Sequence, residues 1–311
     1  MNFKHKSNLL IIAGVFFLGI FVQQLIIKDN LKLYVQNGNL NVALGQKATP
    51  TKTPTQQIDL KKLQAEVFPQ NGYVFKIKWG DLGKRMVADG VIDETKLTQV
   101  ITGDKPLPLE LKKYLDGSAE DLELNQNNAQ FWVDVLWGLG LANKNELLDT
   151  GPMVESGQTA NFASTGGYTI GKSDSMNYYS KYSYIKLTPE QQIKVKEIAG
   201  NIYRPCCNNS TAFPDCNHGM AALALVALMV SQDFSEDEIY KTVLAFNSYW
   251  FPQTYLDISY HFAKNNREYK AVPAKEILSK TFSSSSGYKV ISNQIGPVAW
   301  PNSSGRSSCG A

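Results

Sequence analysis

Three of the four cysteines of this 311-residue chain fall within eleven positions, and a histidine follows them closely. The segment reads Arg204-Pro205-Cys206-Cys207-Asn208-Asn209-Ser210-Thr211-Ala212-Phe213-Pro214-Asp215-Cys216-Asn217-His218-Gly219, and an apolar stretch comes directly after it. A thiolate is both a nucleophile and a soft metal ligand, so this is the densest concentration of chemistry in the chain. Cys216 stands at the entrance of a helix predicted over 219–231. Unpaired backbone N–H groups and the helix dipole stabilise a thiolate at such an entrance. His218 can add a positive charge or a second kind of ligand. Pro205 and Pro214 stiffen both ends of the intervening loop, which brings Cys206 and Cys207 to Cys216 if it folds back.

Three chemistries follow from these residue types. The first is a metal site made by Cys206, Cys207, Cys216 and His218, with Cys309 of the C-terminal tail as a further ligand; thiolate and imidazole suit zinc or copper. The second is thiol–disulfide exchange by a candidate redox pair, Cys207 and Cys216, with Cys216 the more acidic thiol and Cys206 the other candidate partner. The third is structural. Four cysteines allow three disulfide connectivities, and an adjacent pair rarely bonds to itself. Cys206 and Cys207 would then join Cys216 and Cys309 in either order, and Cys309 would pin the tail. A Cys207–Cys216 bridge closes a loop for which chain entropy gives roughly 2–3 kcal/mol. Neither C-x-x-C nor C-x-x-C-H occurs, which removes the thioredoxin and covalent-haem signatures.

The elements that must position these residues are mostly helical. Amphipathic or apolar helices are predicted over 58–68, 81–89, 93–101, 108–115 and 128–141. Tyr73 to Trp79 alternates as a short strand does. Thr188-Pro189-Glu190-Gln191 opens a helix with a capping residue, a proline in the first turn and Gln three positions after the cap. Ser235-Glu236-Asp237-Glu238 is a second capping box, and its helix ends at Pro252. Further helices are expected over 255–264 and 274–280. Residues 151–183 form a Gly/Ser/Tyr-rich irregular segment. Within it, Gly166 to Ser173 fits G-x-x-x-x-G-K-[ST], but no strand precedes it and a poor helix opening follows, so an ordered loop is expected rather than a phosphate cradle. His261 reads as a half-buried helix residue, and Trp132, Trp137 and Trp250 as core.

The cysteine loop, the apolar helix, Ser235-Glu236-Asp237-Glu238-Ile239 and the aromatic helix end Asn247-Ser248-Tyr249-Trp250-Phe251-Pro252 occur in an order that resembles the small helical domain of the cytochrome c maturation thiol-oxidoreductases. The resemblance covers about fifty residues. It implies a membrane-anchored, extracytoplasmic protein that handles thiols of another exported protein. That family works through a C-x-x-C pair, whereas Cys206 and Cys207 are adjacent here and Cys216 is distant. The body as a whole is similar to an uncharacterised prokaryotic membrane-anchored family with the same Cys-Cys…Cys-Asn-His-Gly block and the stretch Asn161-Phe162-Ala163-Ser164-Thr165-Gly166-Gly167. That likeness implies no reaction.

The N-terminus bears on compartment. Lys4, His5 and Lys6 precede an apolar run from Leu9 to Ile27, interrupted by Gln23 and Gln24. At 1.5 Å per residue the run spans roughly 28 Å, close to the bilayer core of about 30 Å. The run is long for a cleaved signal and no A-x-A site follows, so an uncleaved anchor over residues 1–28 is expected, with contact to the membrane through residues 9–27. Residues 29–57, Thr/Pro-rich at their end, read as an extended linker. The net charge of +3 gives no electrostatic footprint for nucleic acid. The expectation is a mainly α protein: a single-pass anchor in the cell membrane, a linker, and an extracytoplasmic body with a helical lobe (58–150), the irregular segment (151–183) and a cysteine-containing helical lobe (184–311).

Overall fold

The structure is a computed structural model that describes residues 58–117 and 121–301, together with the backbone of two strands, Leu31–Gln36 (β1) and Asn39–Leu44 (β2). The anchor expected over 1–28 and the tail cysteine Cys309 lie outside the described residues. Among the described residues, no helix is long and apolar enough to cross a membrane. The chain divides into two compact units, residues 1–57 and 58–311.

In the first unit, β1 and β2 pair antiparallel, with Leu31 opposite Leu44, Leu33 opposite Val42 and Gln36 opposite Asn39. Within the linker expected over 29–57, residues 31–36 and 39–44 are therefore paired strands rather than an extended tether. The strands flank Asn37-Gly38, a dipeptide with a strong hairpin preference because both residues tolerate positive φ. The alternation of Leu, Val and polar residues on either side completes that signal.

The second unit is helical, and local sequence explains most of its boundaries. Asp59 caps α1 (Leu60–Val67) by accepting from the Lys62 backbone N–H. A Gly90 with φ of +77° separates α2 (Leu82–Ala88) from α3 (Glu94–Thr102), whose first turn is capped by Asp93. Next come α4 (Leu109–Asp116) and α5 (Ala129–Ala142). The predicted strand at 73–79 shortens to β3 (Tyr73–Phe75), which pairs antiparallel with β4 (Leu122–Leu124). Both predicted capping boxes form, at α6 (Pro189–Gly200) and at α8 (Glu236–Trp250). Between them lies α7 (Asn217–Ser231), and Pro252 opens α9 (Pro252–Lys264).

Two helices organise this unit. Every residue of α5 from Phe131 to Ala142 is buried, as is every residue of α7 from Gly219 to Val230. A helix that is apolar on all sides must be enclosed on all sides. The helical lobes expected on either side of residues 151–183 consequently share one core, with α5 of the first and α7 of the second side by side. Gly140 permits their close approach: a Cβ there would fall 2.2 Å from the Met220 carbonyl oxygen. Trp132, Trp137 and Trp250 are all buried, and Trp250 ties α8 to α5 by donating from Nε1 to the Ala129 carbonyl.

The irregular segment is ordered by pegs into this core. Ser180 donates its backbone N–H to the Leu141 carbonyl, Tyr168 donates its hydroxyl to the Val91 carbonyl, and Trp137 donates Nε1 to the Ser164 carbonyl. Only short turns interrupt it, at Pro152–Glu155, Thr159–Asn161 and Ser175–Asn177. Besides the four-residue turns Glu146–Asp149 and Lys280–Ser283, one longer helix falls outside the ranges expected from sequence. Ser285–Ile295 (α10) starts in a run of serines and buries only Ile291, so it lacks a strong apolar stripe; Ser284 caps it by accepting from the Gly287 N–H.

Candidate functional site

The site grows from the N-terminus of α7. Cys216 is the capping residue of that helix, with extended backbone angles (φ −126°, ψ 165°), and its Sγ accepts the Gly219 N–H at 3.4 Å. The capping position is ordinarily held by an oxygen; here a sulfur fills it and meets the positive end of a fifteen-residue helix. The preceding loop folds back over this end. Its closure is fixed by backbone bonds from Thr211 N–H to the Ile202 carbonyl and from Ala212 N–H to the Ala199 carbonyl.

Arg204 is the centre of the folded loop. Its side chain is completely buried. Nε donates to Cys216 Sγ at 3.0 Å, Nη1 to the Asn209 carbonyl at 3.0 Å, and Nη2 to the Phe213 carbonyl at 3.3 Å and to Asp215 Oδ1 at 2.7 Å. Asn209 Nδ2 donates to the other oxygen of Asp215 at 2.8 Å. A buried guanidinium is tolerated only when its donors and its charge are satisfied. Asp215 supplies one anion, and Cys216 as thiolate would supply another. Gly219 completes the arrangement by its lack of a side chain, because a Cβ there would lie 2.3 Å from Arg204 Nη2.

The three sulfurs converge. Cys206 Sγ lies 3.4 Å from Cys216 Sγ, and the sulfurs of Cys206, Cys207 and Cys216 all fall within 4.8 Å of one another. Each of these residues is a half-buried free cysteine. Cys207 is also 3.8 Å from the Asn209 carbonyl and from Asp215 Oδ1. The unexpected helix α10 buttresses this edge: Ser285 donates its N–H to the Cys207 carbonyl at 2.9 Å, and Ser286 donates to Asn208 Oδ1 at 2.8 Å.

The electrostatics separate the three thiols. Hydrogen bonds from Cys206 and Cys207, and after them the Arg204 guanidinium, hold Cys216 well below the usual thiol range in spite of its burial. Hydrogen bonds toward Cys207 and Cys216, and after them burial, raise Cys206 against the lowering influence of Arg204. Cys207 stands at about 11, lowered by Cys206 but raised more by Cys216 and by burial. The net negative charge at the sulfurs lifts Arg204 above its ordinary range, although burial alone would lower it.

The expected site residues thus divide. Cys206, Cys207 and Cys216 are brought together; Cys206 Sγ approaches Cys216 Sγ to 3.4 Å, and Cys207 Sγ lies within 4.8 Å of both. His218 does not join the three-sulfur group. Its ring packs against Phe251 (4.4 Å between centroids) and Trp250 (5.7 Å), and burial lowers its pKa to about 4, so it is neutral. Cys309 lies outside the described residues. His261 is half-buried beside Phe262 and Phe282. At the G-x-x-x-x-G-K-[ST] match, Gly171 faces the Tyr178 ring, and the Ser173 N–H donates to the Tyr178 hydroxyl. The segment is followed by a short turn and not by a helix, so it has no phosphate-cradling helix start.

Arg204, Asp215 and Gly219 carry the site but were assigned no role from sequence. Their signal was present: an arginine and an acid flank the cysteines on either side of a short loop, and a glycine occupies the third helical position after a capping cysteine. No family model matches the chain, nor does any curated protein or solved structure.

Proposed function

We propose that this chain is a thiol–disulfide exchange protein whose reacting pair is Cys216 and Cys206. The observation that carries the reading is the contact between their sulfurs at 3.4 Å, with the Arg204 Nε–H on Cys216 Sγ at 3.0 Å. Closing that contact to a disulfide of about 2.05 Å needs a movement of little more than an ångström, while the arginine and the helix start favour the anionic form of the attacking sulfur.

The chemistry balances without a cofactor. The Cys216 thiolate attacks one sulfur of a partner disulfide, and the partner's second sulfur leaves as a thiolate and takes up a proton. The Cys206 thiol, losing its proton, then attacks Cys216 in the mixed disulfide. The Cys206–Cys216 bond forms, the partner's remaining sulfur departs, and two electrons have passed to the partner. The reverse sequence oxidises a partner dithiol.

The apolar run from Leu9 to Ile27 supports a tethered position on the outer side of a cell membrane, where the partner would be another exported protein. The test is to equilibrate the full-length chain in glutathione redox buffers and map the disulfide by mass spectrometry. A reversible Cys206–Cys216 bond that survives in Cys207→Ser and Cys309→Ser, and is lost in Cys206→Ser, is the expected result. Four half-cystines inert to glutathione, or a bond that joins Cys207 to Cys216, would overturn it and leave the cysteines as staples of an anchored scaffold.

A further inference from the structure

We infer that the three sulfurs of Cys206, Cys207 and Cys216 form a three-coordinate site for monovalent copper when all are reduced. This goes beyond electron exchange, which forms its bond between two sulfurs; the third, Cys207, is not one of that bonding pair and is nevertheless held in the same group.

The argument is one of distance and donor number. A metal–sulfur bond of about 2.3 Å places the sulfurs of a trigonal centre about 4.0 Å apart. The site brackets that edge, with 3.4 Å between Cys206 and Cys216 and no pair beyond 4.8 Å. Adjustments of well under an ångström, within reach of side-chain torsions, would equalise the triangle. Soft thiolates select Cu(I) and zinc. Zinc takes four ligands in a structural site, and among the described residues the group offers three, with no imidazole or carboxylate in it. Three sulfurs, with no fourth donor in their group among the described residues, suit an ion that accepts trigonal coordination.

The surroundings supply what a thiolate site requires from its outer contacts. Cys216 Sγ receives the Arg204 Nε–H and the Gly219 N–H. Arg204 also offsets part of the negative charge that three thiolates and one monovalent cation leave behind. The Cys207 backbone is held by α10 through the Ser285 N–H, which fixes the third ligand against the other two. Such outer partners typically govern 10–100-fold in metal affinity.

The test uses the reduced full-length chain under anaerobic conditions. Cu(I) is titrated against a colorimetric Cu(I) chelator, and X-ray absorption reads the coordination of the loaded protein. One Cu(I) per chain with three sulfur neighbours and no nitrogen is expected. Cys207→Ser should lower affinity by more than a hundredfold and leave two sulfur neighbours in the X-ray absorption spectrum. His218→Gln and Cys309→Ser should change affinity by less than about threefold. Zinc bound in preference to Cu(I), a two-sulfur spectrum unchanged by Cys207→Ser, or loss of binding in Cys309→Ser would each overturn the three-sulfur site. The two proposals fail separately: exchange without Cu(I) binding refutes only this one, and Cu(I) binding by thiols that never bridge refutes only the other.

Discussion

Replacing Gly219 by alanine tests whether Arg204 is locked where the site needs it. The new methyl carbon would lie 2.3 Å from Nη2, 2.4 Å from Cζ and 2.7 Å from Nε of Arg204. Ordinary contact begins near 3.4 Å, so the guanidinium must retreat by roughly an ångström. It cannot do so freely, because it is fully buried and holds Cys216, Asp215 and two carbonyls at 2.7–3.3 Å. Overpacking by one methyl costs about 1–3 kcal/mol, and a weakened hydrogen bond to a charged group costs about 1.5–3 kcal/mol more. A loss of about 3 kcal/mol is expected, equivalent to a fall in Tm of about 6–12 °C for a unit of this size. Urea unfolding measures the first figure and calorimetry the second. The alkylation rate of Cys216 by iodoacetamide below pH 7 should fall alongside, because the thiolate loses its Nε–H partner. Gly200 provides the control: it closes α6 with nothing within 4 Å of its Cβ position, so Gly200→Ala should be neutral or stabilise by up to about 1 kcal/mol. A Gly219→Ala protein as stable as the parent, with unchanged alkylation, would show that Arg204 has room to move and would remove the basis for its role at Cys216.

Two carboxylates should respond to neutralisation with opposite signs. Asp215→Asn leaves the buried Arg204 without its carboxylate and should destabilise the protein at neutral pH by about 3–5 kcal/mol in urea unfolding; a change below 1 kcal/mol would mean that the thiolate alone balances the arginine. Asp134, buried in the middle of α5 with one hydrogen bond from Gln130, is raised to about 6, by burial above all. Its folded pKa exceeds the unfolded value of 3.8, so the folded state binds more protons between these values. Asp134 therefore costs stability above pH 6, and that cost disappears as the pH falls toward 4. Asp134→Asn should stabilise by up to about 3 kcal/mol at pH 8, with most of the gain gone at pH 4; a pH-independent effect would refute the assignment.

Much of the framework is legible in the chain itself. Caps are local chemistry, so Thr188 with Gln191, Ser235 with Glu238, and Asp93 mark helix starts that the structure reproduces. Two helices that are apolar on nearly every face, apart from Asp134 in α5, announce buried positions, and the cysteine block at the start of the second announces the site. The segments that escaped have weak local signals or signals passed over: α10 opens in serines and buries one side chain, and the strand pair β1–β2 lies beside a Thr/Pro-rich stretch that reads as an extended linker. What the fold alone decides is the pairing inside the site. Cys206 and Cys207 are neighbours in sequence with equal claims on Cys216, and only the path of the loop back over α7 puts the first in contact at 3.4 Å. Likewise His218, two positions from Cys216, is carried by the helical turn toward Phe251 and Trp250, while Arg204, twelve positions away, is carried in. Local propensity acts over a few residues; contacts between sulfur, guanidinium and helix end depend on chain segments that only the shared core holds together.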